Sequence, residues 1–105
     1  IPIARRLLEH HGEVIALIKP QFETEGVGIN KHGVITEQQV HLTYLPPLIN
    51  CLQGEDLGLV NLDYSPISGM KGNLEYLAHF KVGAPVMDAS KLVKAVIRAG
   101  WERKG

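Results

Sequence analysis

Val14-Ile15-Ala16-Leu17-Ile18, closed by Lys19-Pro20, decides the fold of this chain. Five apolar residues in a row, with no polar alternation, are what a strand buried on both faces of a parallel or mixed sheet requires. Proline cannot extend the ladder, so the strand ends at the lysine.

Upstream, the segment 3–11 predicts a short helix, with Ile3, Leu7 and Leu8 on one face, Pro2 in the first turn and Gly12 as its stop. Downstream, residues 21–35 are polar and carry Gly26, Gly28 and Gly33, which predicts a long loop. Loops of that length in a small domain are often functional. Thr36-Glu37-Gln38-Gln39 has the form of a capping box and opens a predicted helix through Gln53, broken or kinked at Pro46-Pro47 and closed by Gly54.

A second strand is predicted over 57–64, then a turn-rich stretch 65–72. A third strand follows over 73–82, with Leu74, Tyr76, Ala78, Phe80 and Val82 alternating onto one face. Asp88 caps a last helix striped by Leu92, Val93, Val96 and Ile97 and ended by Gly100. The first two strands, separated by a helix, should be parallel, and the last two antiparallel. With three strands the α/β organisation looks like part of a larger sheet, and the bare edge at Val14–Ile18 invites self-association as a homodimer.

Composition narrows the class. The 105 residues suffice for one domain, are 45% hydrophobic and 21% charged, and carry no net charge, so no global field draws in a polyanion. No apolar run is long enough to span a bilayer, and no basic region followed by an apolar stretch opens the chain. The lone cysteine, Cys51, lies among Leu48, Ile49 and Leu52 and reads as a small core residue in a reducing, cytoplasmic protein. Ile1 stands where a start methionine would, so a processed or excised segment is expected.

Ligands of open α/β sheets bind beyond the carboxyl ends of the parallel strands, where Lys19 sits. An antiparallel third strand beside the first would bring Glu75 level with it. A lysine and a carboxylate at that rim suit proton transfer, but on spacing alone a structural ion pair is the favoured reading. Gly26-Val27-Gly28 is no dinucleotide fingerprint, because no strand precedes it directly. The five histidines show no metal-ligand spacing, so no metal is expected. Lys91, Lys94 and Arg98, with Arg103 and Lys104 beyond, form a basic stripe that could meet RNA phosphate or simply face solvent.

Two stretches carry a family resemblance. Leu17-Ile18-Lys19-Pro20-Gln21-Phe22-Glu23, with Lys31-His32-Gly33-Val34-Ile35 after it, resembles the segment following the fifth strand of TlyA-type (haemolysin A, FtsJ-like) methyltransferases. Ser65-Pro66-Ile67-Ser68-Gly69-Met70-Lys71-Gly72-Asn73-Leu74-Glu75-Tyr76 is similar to that family's second signature. Met70 stands where a proline is common, and Pro46-Pro47 interrupts a usually unbroken helix.

The resemblance implies that residues 1–105 are the C-terminal part of a three-layer, Rossmann-like methyltransferase sheet, with two parallel strands, an antiparallel strand between them and flanking helices. It implies an S-adenosylmethionine-dependent methylation of a ribose 2′-hydroxyl in ribosomal RNA by a Lys-Asp-Lys-Glu tetrad. Lys19 would be its second lysine and Glu75 its glutamate. Phe22, Lys31 and Asn73 are candidates for touching the RNA. The first lysine, the aspartate and the cofactor cradle would lie upstream, so the chain alone is expected to be inactive. The rival readings are a non-catalytic RNA-binding or assembly module and a haemolysin, a label the family often carries.

Overall fold

The structure, a computed structural model, describes residues 7–10, 12–54, 57–65 and 72–104; of residues 7–10 and Lys104 only the backbone is described. The elements in order are β1 (Leu7–His10), β2 (Glu13–Ile18), α1 (Pro20–Glu23), α2 (Gln38–Leu52), β3 (Leu57–Tyr64), β4 (Tyr76–Val82) and α3 (Ser90–Lys104). The strands form one four-stranded sheet in the order β1-β2-β4-β3, with every neighbouring pair antiparallel. Because β2 and β3 both run against β4, they are parallel to each other with β4 between them, as the connection lengths predict.

The predicted first helix is corrected. Its described part, Leu7–His10, is a strand that pairs with β2 from Leu7 opposite Ala16 to His10 opposite Glu13. Helical spacing of three apolar residues is a weak preference, and the unpaired backbone of β2 offers hydrogen bonds that override it. Gly12, at a φ of 79°, takes the left-handed conformation that lets the chain reverse between the two strands. The edge of β2 expected to be bare is therefore occupied by β1, which removes the reason given for a homodimer.

The sheet buries one face. Ala16 and Ile18 of β2 and Tyr76, Ala78 and Phe80 of β4 pack with Leu45 and Ile49 of α2 and Val93 and Ile97 of α3 in a single core. Val93 and Ile97 are fully buried, and each such side chain stabilises the fold by about 1.5–3 kcal/mol. The intervening residues Ile15, Leu17 and Leu77 are half-buried or exposed on the other face, where His79 also meets Glu13 at 2.7 Å. Among the described residues there are thus two layers, not three, and β2 is not buried on both faces.

Three helix boundaries differ from expectation. The N-cap of α2 is Glu37, without a side-chain cap bond, so the Thr36 capping box does not form. Both prolines lie inside one uninterrupted α2: Pro46 is buried with Leu45 and Ile49, and this packing offsets the roughly 3 kcal/mol an interior proline costs. Helix α3 continues past Gly100 to Lys104. Gly100 is not a stop but a contact point, since a Cβ there would lie 2.8 Å from Leu74 Cδ2. The predicted 21–35 loop begins with the short helix α1, and Cys51 is exposed, because two residues from Ile49 is more than half a helical turn away from the core.

Candidate functional site

The register of β2 and β4 runs from Glu13 opposite Lys81 to Ile18 opposite Tyr76. One step further sets Lys19 level with Glu75, at the carboxyl end of β2. The two positions therefore lie level with each other at the sheet rim, as the predicted topology requires.

Helix α1 sorts the side chains that follow. Phe22 N–H and Glu23 N–H donate to the Lys19 carbonyl at 2.9 and 3.1 Å, which coils the chain immediately after the strand. The coil turns Gln21 inward, to 4% exposure, and Phe22 outward, to 42%. Phe22 is therefore not a core residue. The Lys19 ammonium lies 5.9 Å from the Phe22 ring centroid, a cation–π contact worth about 0.5–1 kcal/mol at an exposed site.

Glu75 is 6% exposed, and its Oε2 accepts a hydrogen bond from Gln21 Nε2 at 3.0 Å. No ion pair within 4.0 Å joins Lys19 to Glu75 among the described residues. The buried Oε1 of Gln21 has no hydrogen-bond partner among the described residues. Gln21 is the site residue to which sequence reasoning gave no role. Its only signal was its place inside the first motif, where a glutamine after Lys-Pro reads as the start of a polar loop.

Asn73 is buried and clamps the loop. Its Oδ1 accepts from Ile35 N–H at 3.0 Å and its Nδ2 donates to the Gly33 carbonyl at 2.8 Å. Asn30 shapes the same loop by accepting from the N–H groups of His32 and Val34, and leaves Lys31 exposed at its tip. Ser65 N–H donates to the Glu75 carbonyl at 2.8 Å, so the backbone at Glu75 is tied to the end of β3 although β4 begins only at Tyr76.

Beneath the rim lies a buried polar cluster. His41 Nδ1 is 2.7 Å from the Tyr76 hydroxyl and 3.2 Å from Trp101 Nε1. The indole N–H can only donate, so Nδ1 must be the acceptor and the imidazole carries its proton on Nε2. Burial pushes the Tyr76 hydroxyl up, opposed in part by the neighbouring Trp101 indole, so it remains a donor at neutral pH.

Lys91, Lys94, Arg98 and Arg103 are all exposed along α3. Among the described residues no three His, Cys, Asp or Glu side chains stand together as metal ligands, and no helix is long and apolar enough to cross a membrane. The glycines of the 21–35 loop do not make a cofactor cradle. They follow a helix rather than a strand, and Gly28 packs so closely that a Cβ would meet Val40 Cγ2 at 2.7 Å.

No protein-family model matches the sequence. Curated proteins do. The chain is 35% identical over 79 residues to "Putative rRNA methyltransferase YqxC" of Bacillus subtilis, covering 75% of this chain and 28% of that protein. It is 42% identical over 66 residues to "Hemolysin A" of Brachyspira hyodysenteriae, covering 63% and 28%. Among solved structures, a "Putative hemolysin" from Streptococcus thermophilus matches with a TM-score of 0.73 at 33% identity, over 90% of this chain and 34% of that one. A "putative hemolysin" from Lactococcus lactis matches with a TM-score of 0.66 at 32% identity, over 88% and 44%. The chain spans 28% of the length of each curated relative. Sequence and fold together identify the chain, over most of its own length, with the TlyA-type family of haemolysin A-like proteins.

Proposed function

We propose that this chain is part of an S-adenosylmethionine-dependent methyltransferase acting on a ribose 2′-hydroxyl of ribosomal RNA in the cytoplasm. In this reading it contributes the second lysine, Lys19, and the glutamate, Glu75, of a Lys-Asp-Lys-Glu tetrad. The observation that carries the reading is the β2–β4 register, which sets Lys19 level with a buried Glu75 at the carboxyl end of β2. The name of the Bacillus subtilis relative supports the reaction class.

In this reading the methyl donor and the remaining tetrad residues are supplied by other parts of the protein. This chain acts on the acceptor. A ribose hydroxyl is a poor nucleophile until its proton is shared or removed, and Lys19 orients that hydroxyl or, as the neutral amine, takes up its proton. Glu75 fixes the lysine's surroundings. Phe22, exposed beside Lys19, supplies a face on which a base can stack, and Lys31 at the loop tip meets phosphate. Asn73 holds that loop in place and acts on the RNA through it. The two-layer sheet forms the C-terminal portion of a wider Rossmann-like sheet.

Lys19→Ala and Glu75→Ala, made in the full-length protein, are expected to lower methyl transfer to ribosomal RNA by roughly 100-fold or more while the protein stays folded. Methylation at the normal rate by either variant overturns the assignment. A non-catalytic RNA-binding module predicts no S-adenosylmethionine binding by calorimetry. A haemolysin, the name three of the matched proteins carry, predicts leakage from liposomes.

A further inference from the structure

The Lys19–Glu75 site contains a third polar side chain, and its geometry is more constrained than either of the others. Gln21 is 4% exposed and donates from Nε2 to Glu75 Oε2 at 3.0 Å. An ionised carboxylate only accepts hydrogen bonds, so the amide cannot be flipped: its NH2 must face Glu75 and its carbonyl must face away. That carbonyl, Oε1, is buried without a partner among the described residues. Buried polar atoms are rarely left so, and an orphan at a candidate site calls for a donor.

We propose that Gln21 is a positioning residue that couples Lys19 to Glu75, its Nε2 fixing the carboxylate and its Oε1 accepting an N–H from the Lys19 ammonium. Among the described residues, Lys19 is a donor placed to do so. It precedes Gln21 by two residues, the β2–β4 register sets it level with Glu75, and it carries three donors on a flexible four-carbon stem. Its ammonium now lies over Phe22, an exposed ring that holds it weakly. Moving from that ring to Oε1 exchanges a weak contact for a hydrogen bond and satisfies the orphan carbonyl in the same step.

The coupling has a chemical consequence. A lysine in direct contact with a carboxylate is held in its charged form and is a poor proton acceptor. An amide carbonyl orients the ammonium equally well and adds no full negative charge. Gln21 thus lets Glu75 order the lysine without locking the proton onto it. The kinetic part of this inference rests on the methyl-transfer reading, whereas the geometric part does not.

The geometric test is a crystal structure of the full-length protein. Lys19 Nζ within hydrogen-bond distance of Gln21 Oε1 is the expected result; Nζ bound directly to Glu75, or another donor on Oε1, overturns the proposal. The kinetic test compares Gln21→Met, which removes donor and acceptor at similar length, with the isosteric Gln21→Glu. Gln21→Met is expected to lower kcat by roughly 10- to 100-fold with the KM for RNA little changed. Gln21→Glu is expected to move the acidic limb of the kcat profile to higher pH, because a second carboxylate favours the charged lysine. A Gln21→Met variant with wild-type kcat, or an unmoved profile in Gln21→Glu, overturns the proposal. Full activity in Lys19→Ala instead overturns the methyl-transfer reading, and leaves the crystal geometry to decide the role of Gln21.

Discussion

The Nδ1 atom of His41 accepts two hydrogen bonds at once, from the Tyr76 hydroxyl at 2.7 Å and from the Trp101 indole at 3.2 Å. One imidazole on α2 therefore ties β4, a central strand of the sheet, to the last helix, through the residue that follows Glu75. Tyr76 and Trp101 also meet the imidazole ring edge-on, at centroid distances of 5.6 and 5.2 Å. The arrangement links α2, α3 and β4 at one point, because the two donors approach one lone pair from different elements.

Tyr76→Phe keeps the ring and removes one of these donors, and is expected to destabilise the protein by about 1 kcal/mol. Trp101→Phe removes the other and also costs packing. Since both donors share one acceptor, the double variant should deviate from the sum of the single ones. Urea unfolding of the four proteins in the cycle checks this; strict additivity would show that the two bonds are independent.

Gly58 and Gly100 are both places where no side chain fits, and they should differ in severity. A Cβ on Gly58 would overlap the Pro85 carbonyl oxygen and lie 2.6 Å from that of Ala84, both of them backbone atoms that cannot rotate aside. A Cβ on Gly100 would meet the mobile end of Leu74 at 2.8 Å and Tyr64 Cβ at 3.1 Å. Alanine at Gly100 also gains about 1 kcal/mol of helix propensity, which offsets part of an overpacking cost of about 1–3 kcal/mol. Gly58→Ala is therefore expected to lower Tm more than Gly100→Ala, and thermal unfolding of both variants decides it.

Asp88 gives stability an acid-sensitive component. Its Oδ1 accepts from the Ser90 hydroxyl at 2.6 Å, from Ser90 N–H at 2.9 Å and from Asn50 Nδ2 at 2.8 Å. These bonds, those of Ser90 first, lower its pKa from the ordinary 3.8 to about 2. A group depressed by folding stabilises the native state above its unfolded value, and that contribution is lost as pH falls from 3.8 towards about 2. Asp88→Asn removes this titration, so its unfolding free energy should fall less steeply than the wild type's across that window. Parallel slopes for the two proteins would assign the acid sensitivity elsewhere.

The sheet's connectivity was legible because it depends on patterns that the chain carries locally. The apolar run 14–18, the strand over 57–64 and the alternation of Tyr76, Ala78 and Phe80 each mark a strand, and connection length then fixes parallel or antiparallel pairing. With that topology, the closeness of Lys19 and Glu75 follows by counting residues from Ile18 opposite Tyr76. What was not legible depends on partners distant in sequence. Leu7 and Leu8 carry helical spacing yet join β1, because β2 presents an edge to pair with. Gly100 looks like a helix stop until Leu74 and Tyr64 are seen against it. Cys51 has apolar neighbours in sequence, yet it projects away from the face that holds Leu45 and Ile49. Gln21 gave no sign of being buried until α1 turned it under the rim.

The Asn73 clamp bears on how this region can change. Its carboxamide behaves like a piece of backbone, taking the N–H of Ile35 and giving its own to the Gly33 carbonyl, much as a neighbouring strand would. Together with the Gln21–Glu75 bond, it stitches the two signature stretches into one mechanical part, by bonds that span 40 and 54 residues of the chain. A graft that transplants either stretch without the other cuts both stitches. Residues 19–35 and 73–76 should therefore be exchanged with a relative together rather than singly.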